Sequence, residues 1–173
     1  MQRRLASFTL ILGISCLLCA CGFQLRGTGG GGGAALPEPW KKMHLITGNP
    51  NSEFTRAVRR VFTTDGIQWS DKDDANYLLL LGPERFSQAN LSLNAEARVS
   101  QLELTMRTTF SVVDANGSNV ISDTSAVVVQ QMENDPRNAM GKAEELRIHK
   151  NEMRTELAQQ IMRRIGFFAA SNP

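Results

Sequence analysis

The sequence predicts an α+β fold, a two-layer sandwich in which two helices pack on one face of a four-stranded sheet. The predicted element order is β-α-β-β-β-α. Three patterns support this prediction. Residues 54–62 and residues 139–165 carry apolar side chains at helical spacing, and residues 98–113 alternate apolar and polar side chains with a period of two.

The first strand is predicted at residues 43–47, where it is closed by the turn-forming sequence Gly-Asn-Pro. Asn51 or Ser52 can then cap a helix. One face of this helix is apolar, with side chains at offsets of 0, 3, 4, 7 and 8, namely Phe54, Ala57, Val58, Val61 and Phe62. Gly66 suits the position just beyond the helix C-terminus.

The second strand is predicted at residues 75–81, an uninterrupted apolar run that indicates burial of both faces or nearly so. Gly82 and Pro83 should then disrupt the strand ladder or mark an edge or a bulge. Residues 84–93 continue the strand less regularly.

The third and fourth strands are predicted to form a long hairpin. Residues 98–113 place one set of apolar side chains on a single face, namely Leu102, Leu104, Met106, Phe110 and Val112. Thr, Gln, Ser and charged side chains occupy the other face, which is free to meet solvent or a partner. Asn116 and Gly117 form a strong hairpin turn, and residues 120–131 return as the partner strand.

The last helix is predicted to begin with Asp135 as the cap and Pro136 at the first helical position. Its apolar stripe consists of Ala139, Ala143, Leu146, Met153, Leu157, Ile161 and Ile165. Gly166 is predicted to end the helix. This stripe is expected to be core, because a sheet is present to receive it.

The N-terminus has the order of a secretory signal peptide, with Arg3 and Arg4 before an apolar run and small residues before a cysteine. The run is shorter than the roughly 20 residues that span a bilayer. The residues before Cys21 resemble a bacterial lipobox. Cys21 is therefore predicted to carry an S-diacylglycerol and an N-acyl chain, including palmitate. The alternative is an ordinary signal peptide followed by a free cysteine.

The predicted organisation has three parts. Residues 1–20 are a signal peptide that is removed, residues 21–40 are a lipidated N-terminus with a glycine-rich tether, and residues 41–173 are one α+β domain. In bacterial lipoproteins an Asp after the cysteine tends to retain the protein in the inner membrane. Gly22 therefore indicates the outer membrane, with the domain facing the periplasm.

Composition narrows the function classes. Without residues 1–20 the chain has 17 basic and 17 acidic residues, so a basic nucleic-acid-binding protein is disfavoured. No cysteine follows Cys21, which removes sulfur-ligated metal sites and cysteine catalysis. His44 and His149 are the only histidines, and catalytic motifs are absent. We expect no enzyme, no cofactor and no metal, and a role in binding or assembly.

The chain resembles the LptE family of lipopolysaccharide-assembly lipoproteins at three segments. They are the sequence Cys-Gly-Phe-Gln-Leu-Arg-Gly at residues 21–27, the first helix with its Arg-Ala-Val-Arg at residues 56–59, and the last segment from Asn134 to Arg163. The resemblance implies an outer-membrane lipoprotein in a one-to-one complex with the β-barrel protein LptD. It would plug the barrel, assist its assembly and bind lipopolysaccharide for delivery to the cell surface.

The same resemblance suggests two lipopolysaccharide-binding residues. Lys142 matches a basic position near the start of the family's last helix. Arg98 begins the long strand, next to the loop after the second strand, and the family also places basic character at that loop. For Lys142 the alternative is an ordinary surface pair with Glu144 or Glu145. Two other functions remain possible at this point. One is a periplasm-facing scaffold accessory to outer-membrane protein assembly, without lipopolysaccharide binding, and the other is a small-molecule-binding lipoprotein.

Overall fold

The computed structural model describes residues 36–93, 99–134 and 139–172. Six strands and two helices follow each other in the order β-α-β-β-β-β-β-α. Their bounds are β1 Lys42–Thr47, α1 Glu53–Thr64, β2 Gln68–Trp69, β3 Tyr77–Leu81, β4 Arg85–Leu93, β5 Val99–Asp114, β6 Asn119–Glu133 and α2 Ala139–Ser171. Short 3-10 helices occupy Glu38–Lys41 and Lys72–Asp74.

The sheet is mixed, and its central strand is β5. β1 runs parallel to both β2 and β3, and β3 pairs antiparallel with one end of β5. β4 pairs with the rest of β5 along the same edge, and β6 pairs with the other edge. The predicted two-layer α+β architecture is confirmed in outline, but the predicted four-stranded sheet is wrong in its strand number. The two-residue β2 was not predicted, and the expected second strand is divided into β3 and β4.

The division between β3 and β4 is a bulge built around Gly82. Its backbone N–H donates to the carbonyl of Thr109 (2.9 Å), and the buried Thr108 hydroxyl donates to the Gly82 carbonyl (3.0 Å). A Cβ atom at Gly82 would lie 2.6 Å from Thr109 Oγ1 and 3.0 Å from the Thr109 carbonyl oxygen. Glycine is therefore required by the close approach of the two strands, and the predicted disruption at Gly82 and Pro83 is confirmed.

The predicted helix α1 is confirmed together with its ends. Ser52 rather than Asn51 is the cap, and its hydroxyl accepts from the backbone N–H of Thr55 (3.0 Å). Gly66 follows the helix with a φ of 95°, a left-handed conformation that glycine adopts without strain. All five predicted apolar side chains of its inner face are buried.

Helix α2 is longer than predicted, because it continues through Gly166 to Ser171. A glycine within a helix costs roughly 1 kcal/mol, and here the packing of the last turns offsets that cost. Ala169 is buried, and Phe168 makes an edge contact with Trp40. The predicted helix start at Asp135 and Pro136 lies outside the described residues. Ala143, which was predicted in the apolar stripe, is exposed, and the fully buried stripe begins at Met153.

The core lies between the two helices and one face of the sheet. Leu104, Met106 and Phe110 of β5 meet Phe62 of α1 and Leu157 of α2 in a single apolar cluster. Leu36 and Trp40 belong to the same cluster, and Trp40 stacks on Tyr77 with ring centroids 4.0 Å apart. Residues 36–40, within the stretch predicted as the tether, are therefore part of the folded domain.

The free edge of β6 is partly covered by side chains of α2. Gln160 accepts from the backbone N–H of Val127 (3.1 Å), and Arg164 donates to the carbonyl of Ser125 (2.5 Å). Backbone groups on an unpaired strand edge can otherwise recruit another strand. Side chains of α2 therefore provide hydrogen-bond partners for backbone groups in the middle of this edge.

Candidate functional site

The structure describes only one of the three predicted site residues, Lys142. Cys21 and Arg98 lie outside the described residues. Lys142 lies in the second turn of α2 as described and is half-buried. It forms no ion pair within the described part of the chain, and Glu144 binds Arg147 (2.6 and 2.9 Å). The Arg147 hydrogen bonds lower the pKa of the Glu144 carboxyl. The alternative to a ligand-binding role, a surface ion pair of Lys142 with Glu144 or Glu145, is not formed within these residues.

The sheet face turned away from the helices, here called the outer face, carries the predicted polar side chains of β5. Thr105 is half-buried, and Arg107 and Thr109 are exposed. The face is less polar than predicted, since Val127 and Val129 of β6 are 41% and 55% exposed. Three successive valines occupy β6, and period-two geometry directs only the middle one into the core.

Two arginines stand directly opposite each other on the outer face. Arg85 of β4 is the register partner of Arg107 of β5, and both side chains are exposed. The next pair along the two strands is Ser87 with Thr105. Neither guanidinium group forms an ion pair or a side-chain hydrogen bond with any described residue. This part of the sheet therefore presents two uncommitted guanidinium groups beside hydroxyl groups.

An open depression of about 240 Å³ lies at another part of the outer face. Its lining includes Ile46, Leu80, Thr109, Ser111 and Asp123. Ile46 of β1 and Leu80 of β3 are register partners and form its apolar side, and Ser111 of β5, the register partner of Leu80, adds a hydroxyl group. A second depression, along α2, is open and lined by polar residues from Asn151 to Arg163.

Arg154 of α2 forms the most extensive charged cluster that the described residues show. Its Nε and Nη2 atoms donate to the Glu84 carboxylate (2.9–3.0 Å), and Nη1 donates to Glu53 and to Asn151. The hydrogen bonds to Glu84 raise the pKa of the Arg154 guanidinium. The cluster joins α2 to the N-terminus of α1 and to the bulge between β3 and β4. The guanidinium therefore has hydrogen-bond partners from its own chain on all three nitrogen atoms. We interpret the cluster as a structural contact.

The two histidines have local structural partners. The ring Nδ1 of His44 lies 2.7 Å from the Ser70 carbonyl, and that of His149 lies 2.9 Å from Gln130 Oε1. Across residues 36–93, 99–134 and 139–172, no group of three His, Cys, Asp or Glu side chains is placed to hold a metal ion. None of the helices in these ranges is long and apolar enough to cross a membrane.

Sequence reasoning missed both arginine clusters. Glu84 and Arg154 are 70 positions apart, so no local pattern indicates their pairing. Arg85 and Arg107 become neighbours only through the register of β4 on β5. To predict that these two arginines are neighbours, one would have needed the position of the bulge at Gly82, because this bulge sets the register of β4 on β5.

Comparison with known proteins identifies the family of this chain. The family model described as "Lipopolysaccharide-assembly", LptE, matches residues 40–165. The chain belongs to the LptE family. The match contains Lys142, Arg98 and the Arg85–Arg107 pair, and Cys21 precedes it.

Named relatives of this LptE-family chain are similar over almost its whole length. The LPS-assembly lipoprotein LptE of Pectobacterium atrosepticum is 28% identical over 170 residues, which cover 95% of this chain and 86% of that protein. The protein of the same name from Photorhabdus laumondii is 25% identical over 159 residues, which cover 91% of this chain and 84% of that protein.

Solved structures of lipoproteins have the same fold. Lipoprotein B of Nitrosomonas europaea aligns with a TM-score of 0.68 and 20% identity, over 87% of this chain and 94% of that one. The rare lipoprotein B of Shewanella oneidensis aligns with a TM-score of 0.64 and 22% identity, over 75% of this chain and 96% of that one. The α+β architecture of this LptE-family chain is therefore also found in experimentally determined structures.

Proposed function

We propose that this chain is an outer-membrane lipoprotein that works with the β-barrel protein LptD to assemble lipopolysaccharide at the cell surface. In this role it binds lipopolysaccharide, plugs the LptD barrel and assists the assembly of that barrel. The observation that carries the proposal is the LptE family match over residues 40–165. The names of the relatives, LPS-assembly lipoprotein, agree with it.

The outer face of the sheet is the proposed surface toward LptD. Large membrane barrels have a polar interior, so a plug should present hydrogen-bonding groups to the wall. Thr105 and Thr109 supply such groups along β5, and Ser125 of β6 continues them. The helix layer covers the opposite face and contributes the core.

One pull-down experiment tests the proposal and the surface together. Photoreactive amino acids are placed at Thr105 and Thr109, with matched controls at the exposed helix positions Arg60 and Gln159. After irradiation, the chain is purified from detergent-solubilised outer membranes. We expect LptD and lipopolysaccharide to copurify, with LptD adducts forming from the two sheet positions and not from the helix positions.

Two results would contradict parts of this proposal. Adducts from the helix positions alone would assign the partner surface to the other layer. Absence of LptD adducts from every position, together with absence of bound lipopolysaccharide, would favour a scaffold lipoprotein accessory to outer-membrane protein assembly.

The membrane anchor is proposed to be the lipid on Cys21. Mass spectrometry of the mature N-terminus should show a chain that begins at Cys21 with an S-diacylglycerol and an N-acyl group. Several acyl chains give stable membrane anchoring, whereas a single chain is marginal. Cys21→Ala should therefore move the chain from the membrane fraction to the soluble periplasm in cells that lack LptD.

Cys16→Ala is the control for this prediction, because it removes another thiol of the predicted signal peptide and leaves the lipobox cysteine. It should leave the chain in the membrane fraction. An unmodified mature terminus, or one that begins at another residue, would refute the assignment of Cys21.

A further inference from the structure

The Arg85–Arg107 pair on the outer face is electrostatically unfavourable in the isolated chain. Residues directly opposite each other in an antiparallel pair have Cβ atoms about 4.5–5.5 Å apart, and like charges in this arrangement are destabilising. Within the described residues neither guanidinium has a carboxylate partner. An anion bound between the two side chains would remove this repulsion.

The neighbours of the pair combine hydroxyl groups with exposed apolar side chains. Ser87 and Thr105 form the adjacent cross-strand pair. On the other side of β5, Arg107 is opposite Val127, and Thr105 is opposite Val129. Both valines are substantially exposed. A strip across β4, β5 and β6 therefore passes from two cations and two hydroxyls to two apolar side chains, which is complementary to an anionic amphiphile.

We propose that Arg85 and Arg107 together bind a phosphate group of lipopolysaccharide, while Val127 and Val129 contact the apolar part of the same molecule. This inference rests on the proposed function and assigns a phosphate site to it. The site is separate from Lys142, which lies on α2 in the helix layer, whereas the arginine pair lies on the outer face.

A phosphate monoester fits this pair better than a single carboxylate does. It carries about −1.5 to −2 charges near neutral pH and three strong acceptor oxygens, so it can neutralise two guanidinium groups at once. Arginine presents a planar fork of donors that matches phosphate oxygens two at a time. One carboxylate from a partner protein would neutralise only one of the two charges.

The test measures binding of lipopolysaccharide to the full lipid-anchored chain in detergent. Two probes are used, purified lipopolysaccharide and the same material after phosphatase treatment. The test variant is Arg85→Gln with Arg107→Gln. The control variant, Arg60→Gln with Lys72→Gln, removes the same number of positive charges from exposed positions outside the pair.

We expect the arginine double variant to bind the phosphorylated probe at least tenfold more weakly than the unsubstituted chain, and the dephosphorylated probe about equally. The control variant should change neither affinity by more than about twofold. Thermal unfolding at low salt provides a second measurement. Each single Arg→Gln variant should unfold at or above the temperature of the unsubstituted chain, because a repulsion has been removed.

Three results would overturn the inference. If the unsubstituted chain binds lipopolysaccharide and the double variant binds it equally well, the phosphate site is wrong and the proposed function stands. If the double variant loses LptD copurification but retains lipopolysaccharide affinity, the pair contacts the partner protein. If the unsubstituted chain binds neither probe, both the inference and the proposed lipopolysaccharide binding fail.

Discussion

Replacing Arg154 with methionine should lower the free energy of unfolding by about 2–3 kcal/mol. The Arg154 side chain is 14% exposed and binds Glu84, which is 24% exposed, through both Nε and Nη2. Removing one partner of a fully buried pair costs roughly 3–5 kcal/mol, because the other charge is left without compensation. The Arg154–Glu84 pair is partly exposed, so we expect a smaller loss of stability than for a fully buried pair. Urea unfolding of the purified chain measures the change in the free energy of unfolding.

Arg147→Met is the matched control, because Arg147 also binds a carboxylate, that of Glu144, but both side chains are exposed. Exposed pairs contribute little to stability, so this variant should unfold almost as the unsubstituted chain does. A double-mutant cycle of Arg154→Met with Glu84→Gln then isolates the pair itself. An equal, small effect of Arg154→Met and Arg147→Met would refute the structural role of the cluster.

The protonation state of Arg154 supports measuring this effect at neutral pH. Hydrogen bonds to Glu84 raise the pKa of the guanidinium above its ordinary value. A basic group with a raised pKa in the folded state contributes its full stabilisation below its unfolded pKa and loses it only as the pH rises through the folded value. The guanidinium therefore contributes fully at neutral pH.

Local patterns in the sequence predicted the elements whose periodicity is complete within one segment. The helical offsets of α1 and the alternation of β5 both lie within about 16 residues, and both elements form where expected. The turn at Gly117, which has a φ of 83°, was also predicted from its dipeptide. In each case the decisive interactions join residues close in sequence.

The errors arose where distant packing decides the outcome. Strand β2 has only two residues and exists through pairing with β1, which no local pattern of that length can indicate. Gly166 is a plausible helix end in isolation, but contacts of Ala169 and Phe168 with the core keep α2 helical. The Arg85–Arg107 pair likewise depends on a register that the Gly82 bulge sets.

Reversing the charge of Lys142 should weaken lipopolysaccharide binding about tenfold, a loss of about 1.4 kcal/mol. The inner region of lipopolysaccharide carries phosphates and carboxylates, which attract a lysine that has no committed acidic partner. Lys142 is half-buried and forms no ion pair within the described residues, while Glu144 is held by Arg147. Lys142→Asp replaces this attraction with repulsion. Arg98→Asp, outside the described residues, should act in the same direction, and the double variant should lose more than either single one.

The measurement compares lipopolysaccharide affinity, thermal stability and LptD copurification for the two single variants and the double variant. Lys72→Asp is the control, since it reverses the charge of an exposed lysine in a short 3-10 helix and should leave affinity unchanged. If Lys142 acts on the ligand directly, affinity should fall while stability and LptD copurification persist, because Lys142 forms no ion pair within the described residues that its replacement would break. Unchanged affinity in the double variant would exclude this site. An affinity loss in Lys72→Asp equal to that in Lys142→Asp would assign the effect to net charge rather than to a site at the start of α2.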